Sequence, residues 1–146
     1  CLIAPPDHPI LAEKPLTLEA IARYPVVTYD TAFSGRSQIN KAFAARGRTP
    51  NVVLTAIDAD ISKTYVALGL GIGIVAYMAF DPAADKGLRA VDAAHLFESA
   101  TTRIGIRRNA WLRSYVYTFF ELFAPHLTRK MVMAAQAGDE GSDPGI

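Results

Sequence analysis

Residues 58–77, with the sequence D-A-D-I-S-K-T-Y-V-A-L-G-L-G-I-G-I-V-A-Y, constrain the fold more than any other segment of the chain. The first half has the period of an amphipathic helix. Its predicted inward face is formed by Ile61, Tyr65, Leu68 and, at the margin, Thr64. Asp58 and Asp60 stand at the start of this helix, where a capping carboxylate and the positive end of the helix favour acidic residues.

The second half of this segment changes period. Gly69 can end the helix in a left-handed conformation, and the apolar run at 70–75 has the length of a strand. A strand that is apolar on both faces is typical of the middle of a covered, parallel sheet. Gly71 and Gly73 resemble part of a nucleotide-binding loop, but such a loop follows a strand and begins a helix, which is the reverse order. The segment is therefore interpreted mainly as core.

The rest of the chain alternates between strand and helix patterns. Strands are predicted at 1–4, 26–29, 51–56, 88–91 and 101–107, helices at 17–22, 36–45, 111–123 and 127–136, and a helical turn at 77–80. This order with short connections predicts an α/β sheet that helices cover on both faces. Residues 138–146 are rich in Gly, Asp, Ser and Pro, so a disordered tail is expected after a domain spanning 1–137.

Composition excludes several classes of protein. Of the 146 residues 51% are hydrophobic and 20% are charged, which suffices for a core, and the net charge of +1 does not favour nucleic acid or a membrane surface. The single cysteine, Cys1, excludes an intrachain disulfide and a cysteine-based zinc site. A cytoplasmic protein fits these features. Because the chain begins with C-L-I-A and has no initiator Met, we expect it to be a fragment of a longer protein.

The best candidate for a binding site is F-S-G-R-S at 33–37, where a predicted strand ends and a helix begins. A helix N-terminus offers free N–H groups and partial positive charge to an anion. Ser34 and Ser37 add hydroxyl groups, Gly35 allows close approach of the backbone, and Arg36 adds a positive charge. These residues predict an anion or carboxylate site. The alternative is that Ser34 only caps the helix.

The next strand-to-helix turn adds weaker candidates. Thr55 lies at the end of a predicted strand and is expected to face the same crevice, because ligands of open α/β sheets bind at the carboxyl ends of strands. Asp58 is interpreted as an N-cap rather than a ligand contact. Thr28, at the end of the preceding strand, is a weaker candidate than Thr55.

No catalytic or metal site is predicted, and no cofactor. His8, His95 and His126 are far apart and lack partners at triad or ligand spacing, so each is interpreted as a surface or structural histidine. A basic cluster surrounds Trp111 and contains Arg103, Arg107, Arg108 and Arg113. Nucleic-acid contact is one interpretation of this cluster, but ion pairing at a solvated edge is favoured because no groove-reading or base-stacking motif accompanies it.

Several motifs occur in an order that resembles one family. They are P-D-H-P at 6–9, Tyr24-Pro25, F-S-G-R-S at 33–37, T-A-I-D-A-D at 55–60, K-T-Y-V-A-L-G-L-G-I-G-I-V at 63–75, T-T-R-I-G-I-R-R at 101–108 and L-R-S-Y…F-A-P-H-L-T-R at 112–129. From residue 1 to about 135 the chain resembles the effector-binding half of CysB/Cbl-type transcriptional regulators of the LysR family. The glycine-rich signature is shared by many LysR-type regulators, whereas the other segments together are more specific to this subgroup.

The resemblance implies a fold and a set of partners. The fold is a Rossmann-like lobe of a periplasmic-binding-protein type II-like effector domain, here the second lobe with the C-terminal helix. Such regulators control sulfur assimilation and cysteine synthesis, and they contact DNA through an N-terminal winged helix-turn-helix that this chain lacks. No enzymatic activity and no membrane association are implied. The parent is expected to be a homotetramer and this fragment a dimer.

The resemblance also implies the effector. A small anion (sulfate, acetylserine or adenosine phosphosulfate) would bind between two lobes, with the hydroxyl contact from this lobe at Ser34, where related sequences have Thr. Gly35 and Arg36 match the motif, whereas Thr31-Ala32 departs from the usual aromatic/Gly pair at the rim. A lobe of a solute-binding transport protein is the alternative function.

Overall fold

The computed structural model describes residues 1–98, 104–107 and 110–137, apart from the side chain of Ser34. The chain divides into two compact units, Cys1–Thr101 and Thr102–Ile146. The predicted tail at 138–146 lies outside the described residues.

The first unit is a five-stranded mixed sheet with three helices. Its elements are β1 (Leu2–Ala4), α1 (Leu18–Ile21), β2 (Val26–Tyr29), α2 (Ser34–Ala45), β3 (Val52–Ala56), α3 (Ala59–Ala67), β4 (Ile72–Ile74) and β5 (Arg89–Val91), with 3₁₀ turns at Pro9–Ala12, Tyr77–Ala79 and Ala94–Leu96. The strand order is β3-β2-β4-β1-β5. Strand β2 runs parallel to β3 and β4, whereas β1 is antiparallel to β4 and β5. The apolar strand is central as predicted, but the sheet around it is mixed rather than parallel.

Helices cover both faces of this sheet, as the alternating pattern predicted. One apolar cluster joins Leu2, Val26 and Ile72 to α1 and α2, where Ile39 and Phe43 face inward as predicted. The second cluster, on the other face, contains Ile3, Val27 and Val66 of α3. Because side chains alternate across a strand, adjacent residues of β1 and β2 contribute to opposite clusters.

The inward face of α3 differs from the prediction. Asp58 caps this helix, its carboxylate accepting a hydrogen bond from Ile61 N at 2.8 Å. The buried residues are Ser62 and Val66, whereas Tyr65 and Leu68 are 41% and 75% exposed. The Ser62 hydroxyl donates to the Asp58 carbonyl at 3.1 Å, which allows a polar residue to be buried. A periodic pattern alone cannot show which of two adjacent stripes faces the sheet.

Gly71 and Gly73 allow the close approach of β4 to its neighbours. A Cβ atom on Gly71 would lie 2.2 Å from the Pro25 carbonyl oxygen, and one on Gly73 would lie 2.6 Å from Ile3 Cγ1 and 3.0 Å from Val66 Cγ2. These separations are far below van der Waals contact. The glycines therefore act through packing, which agrees with their interpretation as core rather than as a nucleotide loop.

The second unit contains α4 (Ser114–Phe123) and α5 (Arg129–Ala137). Tyr117, Phe120 and Val132 form its buried cluster. Phe119 and Phe123 stack with ring centroids 5.6 Å apart and are more than half exposed. The strand predicted at 101–107 is wrong for its described part, since 104–107 have no strand pairing, and 101–103 lie outside the described residues.

We expect Gly71→Val to lower the free energy of unfolding by about 2–3 kcal/mol, because the added side chain would overlap the Pro25 carbonyl between β2 and β4. Chemical denaturation followed by circular dichroism measures the change. Gly87→Ala is the control: a Cβ there meets no atom within 4 Å, so its effect should stay within about 0.5 kcal/mol. Equal stabilities of the two variants would contradict the packing role.

Candidate functional site

The candidate site lies at the sheet edge where β2, β3 and β4 end. These strands are parallel, so their carboxyl ends share one edge. Two hydrogen bonds join the end of one strand to a residue just after another. Asp30 N donates to Ala56 O at 3.0 Å, and Ala76 N donates to the Tyr29 hydroxyl at 3.2 Å. This edge is where α/β sheets bind ligands.

The turn between β2 and α2 prepares the start of the helix. The Asp30 carboxylate accepts a hydrogen bond from Ala32 N at 3.0 Å, and Asp30 O accepts one from Phe33 N at 3.1 Å. Phe33 occupies the N-cap position and Ser34 is the first helical residue, so Ser34 is not the cap considered above. The first turn of α2 has no acidic residue. Its partial positive charge is therefore not neutralised from within the turn.

Two of the predicted site residues lie beside Tyr29. A Cβ on Gly35 would lie 3.7 Å from Tyr29 Cδ2, so the first turn of α2 runs close to the tyrosine ring. Arg36 donates from Nη1 to the Tyr29 carbonyl at 3.2 Å and from Nε to Asn40 Oδ1 at 3.0 Å. Among the described residues Nη2 has no acceptor. Two nitrogens of the guanidinium thereby hold it at the carboxyl end of β2.

The other predicted residues are less closely joined to this group. Ser37 lies on the same turn with an exposed side chain, and the side chain of Ser34 lies outside the described part of the chain. Thr55 is exposed on the edge strand β3, next to Thr28 in register. Thr28 is fully buried, and its hydroxyl has no hydrogen-bond partner among the described residues. The structure thus places Gly35 and Arg36 together beside Tyr29, and it places Thr55 next to Thr28 on the neighbouring strand.

Sequence reasoning missed Tyr29 as a site residue. Its ring, hydroxyl and carbonyl contact α2 and the segment after β4, so it holds the edge together. The available signal was its position: a polar aromatic residue at the end of a strand, immediately before a glycine-containing turn. Such a residue can pack with its ring and still bond with its hydroxyl.

A groove of about 300 Å³ on the first unit was also missed. It is lined by residues of α3 and the 84–88 segment, among them Asp60, Lys63, Asp85 and Lys86. Lys63 forms ion pairs with Asp60 at 2.9 Å and Asp85 at 3.2 Å. Its charge is therefore already compensated within the protein.

Two histidines have structural contacts, as expected. His95 Nε2 lies 2.9 Å from the Leu16 carbonyl oxygen. His8 caps the first 3₁₀ turn by accepting a hydrogen bond from Ile10 N at 3.2 Å, and its ring meets the edge of Tyr24. Burial lowers the pKa of His8 below its ordinary value. Protonation would also remove the acceptor lone pair, so the fold favours the neutral imidazole.

The basic cluster is described only in part. Arg113 lies over the Trp111 ring with its guanidinium carbon 6.0 Å from the centroid, and Arg107 is exposed. Arg103 and Arg108 lie outside the described residues. Among residues 1–98, 104–107 and 110–137, no three potential metal ligands cluster, and no helix is long and apolar enough to cross a membrane.

The lowered pKa of His8 predicts a pH dependence. The unfolded chain takes up a proton near the ordinary histidine pKa while the folded chain resists it, so this contribution to stability is present above that value and is lost as pH falls towards the lowered one. Between about pH 7.5 and about pH 5.5, the free energy of unfolding should fall less in His8→Asn than in the wild type, because asparagine takes up no proton. Urea denaturation across this range measures the slope.

Asparagine retains a capping acceptor, so the comparison isolates the titration of residue 8. His126→Asn is the control, because that side chain is exposed. A slope that His8→Asn leaves unchanged would show that burial does not hold this imidazole neutral.

Comparison with known proteins finds relatives over most of the chain. The LysR substrate binding domain model matches residues 1–128. The HTH-type transcriptional regulator CysB of Burkholderia cenocepacia is 54% identical over 140 residues, covering 96% of this chain and 45% of that protein. SsuR of the same organism, also an HTH-type transcriptional regulator, is 57% identical over 126 residues, covering 86% and 41%. The chain thus spans less than half the length of these relatives.

Solved structures give the same fold. The cofactor-binding domain of the Cbl transcriptional regulator superposes with a TM-score of 0.84 at 42% identity, covering 92% of this chain and 59% of that one. The effector-binding domain of QuiR in complex with shikimate gives a TM-score of 0.60 at 14% identity, covering 86% and 59%, which supports the fold alone. The expected periplasmic-binding-protein type II-like architecture is thereby confirmed.

Proposed function

The chain belongs to the LysR substrate-binding domain family, and from this premise we propose that it senses a small anion for a transcriptional regulator of sulfur assimilation and cysteine synthesis. The proposed effectors are sulfate, acetylserine and adenosine phosphosulfate. Residues 1–137 would form the second lobe of the effector domain with its C-terminal helix. The effector would lie in a cleft between this lobe and a first lobe.

One observation carries the proposal: α2 begins at the shared carboxyl edge with an uncompensated first turn and an arginine held beside it. A helix N-terminus carries about half a positive charge, and Arg36 adds a full charge that Tyr29 O and Asn40 keep in place. Asp30 precedes the helix, and its carboxylate accepts a hydrogen bond from Ala32 N. A small anion would therefore meet oriented donors without displacing a bound carboxylate from the helix.

The proposed site consists of Ser34, Gly35, Arg36, Ser37 and Thr55. Gly35 has no side chain between its backbone and the approaching ligand, and the first turn runs close to the Tyr29 ring. Hydroxyl groups at Ser34, Ser37 and Thr55 can donate hydrogen bonds to oxyanion oxygens, and such bonds to charged acceptors are stronger than neutral ones. The residues thus combine charge, backbone amides and hydroxyl groups, which suits sulfate or a carboxylate.

The proposed mechanism is a population shift. A ligand that bridges two lobes stabilises one angle between them, and it shifts the equilibrium only by its difference in affinity for the two arrangements. In the full-length regulator this change would alter a homotetramer and the bend of DNA that is bound by an N-terminal winged helix-turn-helix. Because such a regulator must reach DNA, we place its site of action in the cytoplasm.

A lobe of a solute-binding transport protein is the alternative function. Both classes use the same two-lobed architecture, so the fold does not separate them. The matching relatives that carry helix-turn-helix names favour the regulator. The coding sequence upstream of residue 1 decides: a helix-turn-helix supports regulation, and a signal peptide supports transport.

In the full-length protein, we expect Ser34→Ala to weaken sulfate binding about tenfold, because one hydrogen bond to a charged oxygen is lost. Isothermal titration calorimetry at constant ionic strength measures the affinity, with O-acetylserine and adenosine phosphosulfate as further ligands. Ser114→Ala makes the same change at the first residue of α4 and should leave binding unaltered. If Ser34→Ala binds as tightly as the wild type, Ser34 is not a ligand contact.

A further inference from the structure

Lys63 is a partly buried cation on the surface of α3. Its side chain is only 15% exposed, although lysine is rarely buried without partners. Its ammonium group donates to the Ala79 carbonyl at 3.0 Å and to Asp85 Oδ2 at 3.2 Å, and it pairs with Asp60 at 2.9 Å. Its ammonium group thus lies between acceptors from α3 and from the segment after β4, of which the Asp60 carboxylate is 88% exposed and the Asp85 carboxylate 13% exposed.

The ion pair between Lys63 and Asp85 is poorly explained by stability alone. Asp85 is 13% exposed, and a buried pair often contributes little net stability because desolvation offsets the attraction. The hydrogen bond with Asp60, followed by the interactions with Asp85, raises the pKa of Lys63, so the cation persists. The effect of Lys63 is to fix the positions of residues 79 and 85 relative to α3, since it bonds to both.

Asp85 extends this attachment to the whole 76–85 segment. Its carboxylate accepts a hydrogen bond from Asp81 N at 2.9 Å, and its own amide donates to Asp81 O at 2.7 Å. Ala79 N in turn bonds to Ala76 O at 3.0 Å. One cation therefore fixes the 3₁₀ turn Tyr77–Ala79 and the turn at 81–85 together.

The 76–85 segment begins at the candidate site. Ala76 N donates to the Tyr29 hydroxyl at 3.2 Å, and Tyr29 contacts both Gly35 and Arg36. An unbroken series of contacts thus runs from Lys63 through Ala76 and Tyr29 to the first turn of α2. Lys63 itself is not among the proposed ligand contacts.

We infer that Lys63 is a positioning residue for the effector site, which it orders by fixing the 76–85 segment against Tyr29. The inference rests on the proposed function for its effect on binding, but its structural part does not. Loss of the cation should release the segment, loosen the Tyr29 hydroxyl and leave the start of α2 less well ordered.

Amide hydrogen exchange in the ligand-free, full-length protein tests the structural part. We expect Lys63→Met to speed exchange at Ala76 and Arg36 by about tenfold, because local opening exposes amides independently of global unfolding. Lys63→Arg, which keeps the charge and the donors, should restore slow exchange at both sites. A purely structural role predicts instead that the core amide of Val27 accelerates as much as Ala76, and that result, or unchanged exchange at Ala76, would overturn the inference.

Calorimetric titration with inorganic sulfate tests the effect on binding. Lys63→Met should weaken binding about tenfold while Lys63→Arg stays near the wild type, since only the position of the donors changes. Lys86→Met is the control, a lysine on the same groove that lacks these bonds, and it should bind normally. Wild-type affinity in Lys63→Met would overturn the inference. A wild type that binds no sulfate would count against the proposed effector, and the exchange result alone would then decide on Lys63.

Discussion

The insertion of β4 between β1 and β2 is the constraint on which the rest of the first unit depends. It requires two positions without side chains, because Gly71 lies against the Pro25 carbonyl and Gly73 lies beneath Ile3 and Val66. With β4 in place, Ile72 N bonds to Pro25 O at 2.9 Å and β2 gains parallel neighbours on both sides. The three parallel strands then end together, and that shared edge is where the candidate site forms.

The ability of that edge to bind an anion depends on which helix N-termini there lack a capping carboxylate. Parallel strands that lead into helices bring helix N-termini to one side of the sheet, and the starts of α2 and α3 both lie there. At α3 the carboxylate of Asp58 already caps the helix. At α2 the N-cap is Phe33, which provides no side-chain acceptor. Of the two helix starts, only that of α2 therefore keeps its positive end available to a ligand.

Arg36 adds positive charge to the start of α2, and its side chain is already ordered in the ligand-free protein. Two of its nitrogens are bonded to Tyr29 O and Asn40, so its side-chain freedom has been lost before any ligand binds. A ligand that meets an ordered donor loses less binding free energy than one that must order it. The Tyr29 side chain is likewise ordered before a ligand binds, because its hydroxyl accepts a hydrogen bond from the amide of Ala76.

Much of the fold could be predicted from local patterns. The apolar run at 70–75 predicted a buried central strand, and the cap at Asp58 marked the start of α3. The inward face of α3 could not be predicted, because Val66 is buried in a cluster with Ile3 and Val27 of the sheet, and helix periodicity does not show such tertiary contacts. The strand at 101–107 failed at 104–107 because alternation predicts a strand only where a neighbouring strand accepts its hydrogen bonds.

The candidate site was predictable only in part for the same reason. Gly35 and Arg36 belong to one continuous motif, so the sequence shows them together. Tyr29, Ala76 and Lys63 are separated by long stretches of chain and meet only through tertiary contacts. The sequence around each of these residues therefore does not show that they meet. The side chain of Ser34 lies outside the described residues. The resemblance to LysR-family regulators predicted the fold that these contacts build, and the family match confirmed it.

The most direct test of an anion site at the start of α2 is a crystal structure of the full-length protein with selenate, an anomalously scattering analogue of sulfate. We expect an anomalous peak within hydrogen-bonding distance of the Gly35 amide or the Arg36 guanidinium, at the edge formed by β2, β3 and β4. A well-ordered crystal at saturating selenate with no peak there, or with selenate bound only elsewhere on the protein, would contradict it.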